Sequence, residues 1–194
     1  MLTDHPPRSA PVLAAFLESD RLRMLEVPQD DGLRTLARSI EEAMQDRATK
    51  VVRQGCAEFL RLASDFYGVP RPMIRVLAAR PIRAREGGWA TELFGDYSPE
   101  AMLIRVWMRT AVRKQITSFG TFLSTLCHEF CHHLDYHRFG FRNSWHTRGF
   151  YERAARLYHH ARGTPLKDLY WVRASGRRWR IDWPRTKRGV IAAP

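Results

Sequence analysis

The 194-residue chain has only three cysteines, an odd number and too few for a disulfide framework. That scarcity points to a reducing, cytoplasmic setting. A long apolar run is also missing. The central charge-free stretch, Gln115 to Cys127, is too short to span a bilayer and carries Ser and Thr, so no membrane partner is expected. The opening "MLTDHPPRSAPVLAAFL" has no basic start, and its apolar run from Val12 to Leu17 is too brief for a secretory signal. Repeats and low-complexity blocks are absent. Acidic residues are outnumbered, with 20 Asp and Glu against 32 Lys and Arg, a net charge of +12. An excess of that sign can attract nucleic acid or another polyanion; spread along the chain and mostly Arg, it can equally be a matter of composition. Hydrophobic residues at 44% and charged ones at 27% describe a globular chain, long enough for one domain with a real core.

Periodicity predicts helices in the first third. Leu33, Leu36, Ala37, Ile40 and Met44 recur at helical spacing behind Asp30 and Asp31, either of which can cap the helix. Cys56, Phe59, Leu60, Ala63 and Tyr67 form a second stripe, ended by Gly68 and Pro70. A weaker helix is expected from Val12 to Leu25. The centre then changes period. Residues 73–79, 89–95 and 102–109 read as strands, with "GDYSPE" as a turn before the last. In that last strand Met102, Ile104, Val106 and Met108 share one face, which should lie on the core. A long helix is expected from Ser118 to His137 and another from Thr147 to Arg162, stopped by Gly163 and Pro165. The end reads as a basic hairpin turning at Ser175-Gly176, then a frayed tail. The fold class is α+β. Residues 1–70 form a helical part, 71–162 the core that bears the motif below, and 163–194 the basic, Trp-rich hairpin and tail.

Five of the eight histidines fall within residues 127–146, and His128-Glu129-Phe130-Cys131-His132 is an HExxH pentapeptide. Helical residues four apart differ by about 40° and about 6 Å along the axis. Both imidazoles can therefore reach one zinc ion from one helix face. Glu129 lies about 100° around, beside the metal, where it can take a proton from the attacking water and pass it to a leaving amine. Cys127 and Cys131 cannot join the two histidines on one ion, because a straight helix cannot wrap four such ligands tetrahedrally; they read as small buried apolar residues. His133 lies about 100° off the metal face and His137 at the frayed helix end, so both read as packing or surface residues. His159 and His160 sit near a helix C-terminus, which mildly favours an imidazolium.

A catalytic zinc needs a third protein ligand. The metzincin extension fails, since Asp135 and Arg138 stand where Gly and His are required. Glu152, on the downstream helix, has the gluzincin position, but Arg156 replaces the Asp that usually follows. Asp135 shares the face of His128 and His132 and could bind the metal or accept a hydrogen bond from a ligand histidine. His146 follows a loop containing Gly140 and Asn143, with Phe150 one turn later.

The stretch "TLCHEFCHHLDYHRFGFRNSWHTRGFYERAARLY" resembles the SprT-like metallopeptidases, which include Spartan. They show an HExxH helix, a loop of this length and a third His, commonly in HGxxF. His146-Thr147-Arg148-Gly149-Phe150 keeps the His and the Phe but has Thr in place of Gly. The resemblance spans roughly Ile74 to Tyr158. It implies His146 as third zinc ligand, peptide-bond hydrolysis, and an extended substrate along the edge strand, Met102–Arg109 or its neighbour. It also implies proteins on DNA as targets. The eight Lys or Arg between Gly163 and Pro194, interleaved with Trp171, Trp179 and Trp183, suit contact with DNA backbone and bases. They equally suit a hairpin that packs its tryptophans on the domain. Two other readings stand: a regulator-cleaving peptidase of the ImmA/IrrE kind, which needs an acidic third ligand, and a non-catalytic nucleic-acid-binding domain with structural zinc.

Overall fold

Three helices open the chain, each where the apolar spacing places one. The computed structural model describes residues 1–84 and 90–189. Helix α1 runs Ala10–Arg21, α2 Gly32–Gln45 and α3 Thr49–Tyr67. The stripes of α2 and α3 are buried, from Leu33 and Ile40 to Cys56, Phe59 and Tyr67. Gly68 ends α3 in the left-handed conformation (φ 65°), which glycine adopts without strain. Helix α1 is shorter than expected. Its last turn buries Ser19 and Asp20 rather than a run of apolar side chains, because it serves as a scaffold for a later loop.

The strands are β1 (Met73–Ala79), β2 (Ile82–Ala84), β3 (Ala90–Glu92), β4 (Gly95–Ser98) and β5 (Leu103–Arg109). The main sheet has the order β1-β5-β4, with β5 parallel to β1 and antiparallel to β4. Ile104, Val106 and Met108 are buried as the alternation requires. Met102 stands before the strand at φ 45° and is exposed, while Trp107 is buried on the opposite face. Two expectations are corrected. The strand expected at 89–95 divides into β3, paired with β2 as a separate ribbon, and the start of β4; its first residue, Trp89, lies outside the described residues. Gly95–Ser98 is a strand, not a turn. Its turn-forming residues are held extended by pairing Gly95 to Val106 through Ser98 to Leu103, so tertiary pairing overrides local preference.

Helix α4 covers Phe119–His137, with Ser118 accepting from the Thr121 N–H at 3.2 Å. Helix α5 covers Arg148–Arg162, with Thr147 accepting from the Phe150 N–H at 3.1 Å and Gly163 closing it at φ 69°. The hairpin is β6 (Trp171–Ala174) and β7 (Arg178–Ile181). A short helix α6, Trp183–Arg188, replaces the first part of the expected frayed tail. Asp182 caps it at 3.1 Å from the Arg185 N–H, and Pro184 sits in its first turn. Residues 190–194 lie outside the described residues. One apolar cluster runs from Leu25 through the sheet and α4 to Ile181 of the hairpin. No helix among the described residues is long and apolar enough to cross a membrane.

The start of the chain lies on the hairpin. Leu2 bridges Arg180 in antiparallel fashion, and the Thr3 N–H donates to the Trp179 carbonyl at 2.8 Å. Nothing in the periodicity announces this third segment, which brings residues 1–5 to the loop between α4 and α5.

Candidate metal centre

The four-residue spacing on α4 sets the site. His128 and His132 present Nε2 atoms 3.2 Å apart, and His146, from the loop before α5, brings its Nε2 to 3.0 Å from that of His128. The three imidazoles are close enough to bind one metal ion. Phe150, fully buried, forms the floor, its ring 4.5–5.2 Å from all three imidazole rings. Burial and the neighbouring His146 lower the pKa of His128 to about 3, and burial drives that of His132 well below its usual value. The imidazoles of His128 and His132 therefore stay neutral, the form that can bind a metal.

Hydrogen bonds behind the ring fix the tautomer of His132. The Ser144 hydroxyl donates to Asp135 Oδ2 at 3.1 Å, so its oxygen accepts from His132 Nδ1 at 2.7 Å. The Nε2 lone pair is thereby left facing the centre. Ser144 reaches this position at φ 39°, a left-handed conformation that bends the loop inward. Asp135 does not lie with the three histidines. Both its oxygens are engaged, the second by Arg153 Nη2 at 2.6 Å. Burial raises its pKa to about 6 against the lowering pull of Arg153 and Ser144, which leaves it ionised at neutral pH. Glu152 is also elsewhere: it accepts from Trp171 Nε1 at 2.9 Å and pairs with Arg23 at 3.4 Å.

The residue that sequence reasoning missed is Asp4. Its carboxylate accepts from the His146 N–H at 2.9 Å and lies 3.5 Å from His146 Nδ1, while its own N–H donates to the His146 carbonyl at 3.1 Å. No signal at position 4 could reveal a partner 142 residues away. Asp4→Ala is expected to weaken metal binding about 10–100-fold, the usual effect of removing a group that orients a ligand. Competition with a chromophoric chelator measures it; an unchanged dissociation constant would show that Asp4 does not position His146.

Glu129, one residue past His128, is 6% exposed. It faces β4, the edge strand, and Gly95 makes room for it: a methyl at Gly95 would lie 2.8 Å from Glu129 Oε1 and 2.9 Å from Cγ. Burial, with a smaller push from Asp96, raises the Glu129 pKa to about 8. A carboxyl at that value is mostly protonated at neutral pH; a cation held by the adjacent histidines would pull it back toward the carboxylate form that a base requires.

The other histidines have structural partners. His133, fully buried, donates from Nε2 to the Pro70 carbonyl at 2.7 Å and accepts at Nδ1 from the Tyr97 hydroxyl at 2.8 Å, which ties α4 to β4. His137 Nε2 lies 3.2 Å from the same hydroxyl. Burial lowers the pKa of His159 and His160, opposite to the direction expected from the helix end alone. All three cysteines are buried and free, Cys56 on its apolar stripe and Cys127 and Cys131 in the core as small residues. Comparison of the chain with protein-family models, curated proteins and solved structures finds no match.

Proposed function

We propose that the chain is a zinc metallopeptidase of the SprT-like kind, in which His128, His132 and His146 hold the ion and Glu129 is the general base. The carrying observation is the convergence of three imidazole Nε2 atoms beside a buried glutamate in one cleft. Three nitrogens about 2.0–2.1 Å from a tetrahedral zinc stand about 3.3 Å from each other, close to the 3.0 and 3.2 Å separations here. A zinc ion held by His128, His132 and His146 would supply Lewis acidity toward a scissile carbonyl and a water molecule. Glu129 then accepts the water proton and delivers it to the departing amine. The strand suited to receive an extended substrate is β4, since β5 has neighbours on both sides.

An ImmA/IrrE-type site requires an acidic third ligand, and the engagement of Glu152 by Trp171 and Arg23 disfavours it. Action on DNA-associated proteins draws support from the exposed Arg173, Arg177, Arg180, Arg185 and Arg188. Stacking on bases falls to Trp183, 38% exposed, because Trp171 packs on Tyr151 and Trp179 lies between Arg148 and Arg173.

The test joins metal content to activity. The purified protein should carry about one zinc per chain, lose casein cleavage to a chelator and regain it with zinc. His146→Ala should lose more metal affinity than the roughly 10–100-fold expected of an outer partner. Full occupancy in His146→Ala would overturn the ligand set. Zinc-loaded protein that cleaves nothing, with or without DNA, would overturn the peptidase reading.

A further inference from the structure

The cleft around the three histidines has a volume of about 1110 Å³ and runs well beyond them. Helices α4 and α5 form two of its sides and run antiparallel. Tyr151 lies beside His128, and a methyl at Gly120 would touch the Tyr158 hydroxyl at 3.3 Å. From His128 to Gly120, or from Tyr151 to Tyr158, is about 10–12 Å along the axis. The lining of this arm includes the apolar Ala154, Ala155, Leu169 and Ile181, beside the hydroxyl-bearing Thr121 and Ser124. Lys167 and Lys187 of α6 line it toward His159: Lys167 acts electrostatically on His159, and its Nζ donates to the Lys187 carbonyl at 3.4 Å.

The charges on the walls do not balance. Glu92 is paired with Arg80 at 2.9 Å, and Asp96 with Arg105 at 2.5 Å. Glu129 is the base of the proposed reaction. The cations lining the cleft are Arg142, Lys167 and Lys187, and none has an ion-pair partner among the described residues. His159, at the same end, adds no charge at neutral pH, since burial lowers its pKa. The uncompensated charge of the cleft is thus basic, beside the apolar lining.

We propose that this arm is a specificity site for acidic peptide segments. Apolar side chains next to the cleaved bond rest on Ala154, Leu169 and Ile181, and a carboxylate about three to four residues from that bond pairs with Lys167 and Lys187. The spacing follows from about 10–12 Å of arm and about 3.3 Å per extended residue. The assignment rests on the peptidase reading for the identity of the bond, but its recognition chemistry can be read without cleavage. Apolar lining between two helices suits side chains better than a phosphate backbone, which favours peptide over nucleic acid as occupant.

The test uses the zinc-loaded Glu129→Gln chain and fluorescent peptides with an apolar centre flanked three and four residues away by Glu, Gln or Lys. Anisotropy at low salt should rank Glu over Gln over Lys, with about tenfold between the extremes, fading as salt screens the pair. Lys167→Glu/Lys187→Glu should invert the order, and Lys167→Ala/Lys187→Ala should flatten it; both residues are exposed, so the fold tolerates either change. An order unchanged by these variants would overturn the proposal. So would a DNA duplex that displaces the Glu peptide only while both lysines are present. Turnover of the same peptides by the wild type reports separately on the peptidase reading.

Discussion

Glu129→Gln is expected to lower peptide hydrolysis about 10²–10⁴-fold while leaving the zinc content at one per chain. Glutamine keeps the size of the side chain in a site where Gly95 leaves no slack, so α4 and β4 should pack as before. What is lost is the ability to accept a proton from water and return it to the leaving amine. The change removes no ligand, because the three Nε2 atoms belong to His128, His132 and His146. Gly95→Ala is the companion variant. Its methyl would lie 2.5 Å from Thr125 Cγ2 and 2.8 Å from Glu129 Oε1, so the Thr125 side chain and the carboxylate must both give way, and activity should fall although the base is still present. Single-turnover rates on one peptide, with metal measured on the same samples, separate the two effects. Undiminished hydrolysis by Glu129→Gln would exclude the proton-transfer role, and full biological function without hydrolysis would favour a structural metal.

The parts of this molecule that were legible from sequence are those set by local spacing. The pair His128 and His132 is such a case, since four residues on a helix bring two imidazoles to one side whatever surrounds them. The helix starts near Ser118 and Thr147 and the stops at Gly68 and Gly163 are others. The failures share a cause. Asp4 meets His146, Asp20 meets Arg148, and Arg153 reaches back to the carbonyls of Ser19 and Leu22, all across more than 120 residues. Gly149 belongs with them: α1 presses so closely that a methyl there would collide with the carbonyl oxygens of Ser19 and Leu22. The four-residue strand β4 was hidden because Gly, Asp and Ser favour turns, and only its pairing with β5 and its closeness to Glu129 explain it. Short-range spacing therefore announced the pair His128 and His132, while the supports that aim it and His146 had to be seen.

Asp135→Ala is expected to cost about 3–5 kcal/mol of stability, among the largest effects of any single change outside the apolar core. Asp135 is 0% exposed and its partner Arg153 is 1% exposed. Truncating the aspartate leaves a guanidinium in the interior with no counter-charge, held by the carbonyls of Ser19 and Leu22, the Ser19 hydroxyl and the rings of Phe139 and Phe141. For a chain of this size that loss should lower the melting temperature by about 6–20 °C. The same truncation frees the Ser144 hydroxyl and, through it, the Nδ1 of His132, so zinc affinity should drop about 10–100-fold. Asp135→Leu/Arg153→Met tells the two consequences apart. Replacing both charges by apolar groups of similar volume is often neutral in cost, so most of the stability should return. The affinity for zinc should not, because nothing in the double variant holds the His132 tautomer. Calorimetry and chelator competition on the three proteins give the answer. Recovery of both properties together would mean that Asp135 acts on the metal only by keeping the fold intact, and a silent Asp135→Ala would mean that the buried pair supports neither.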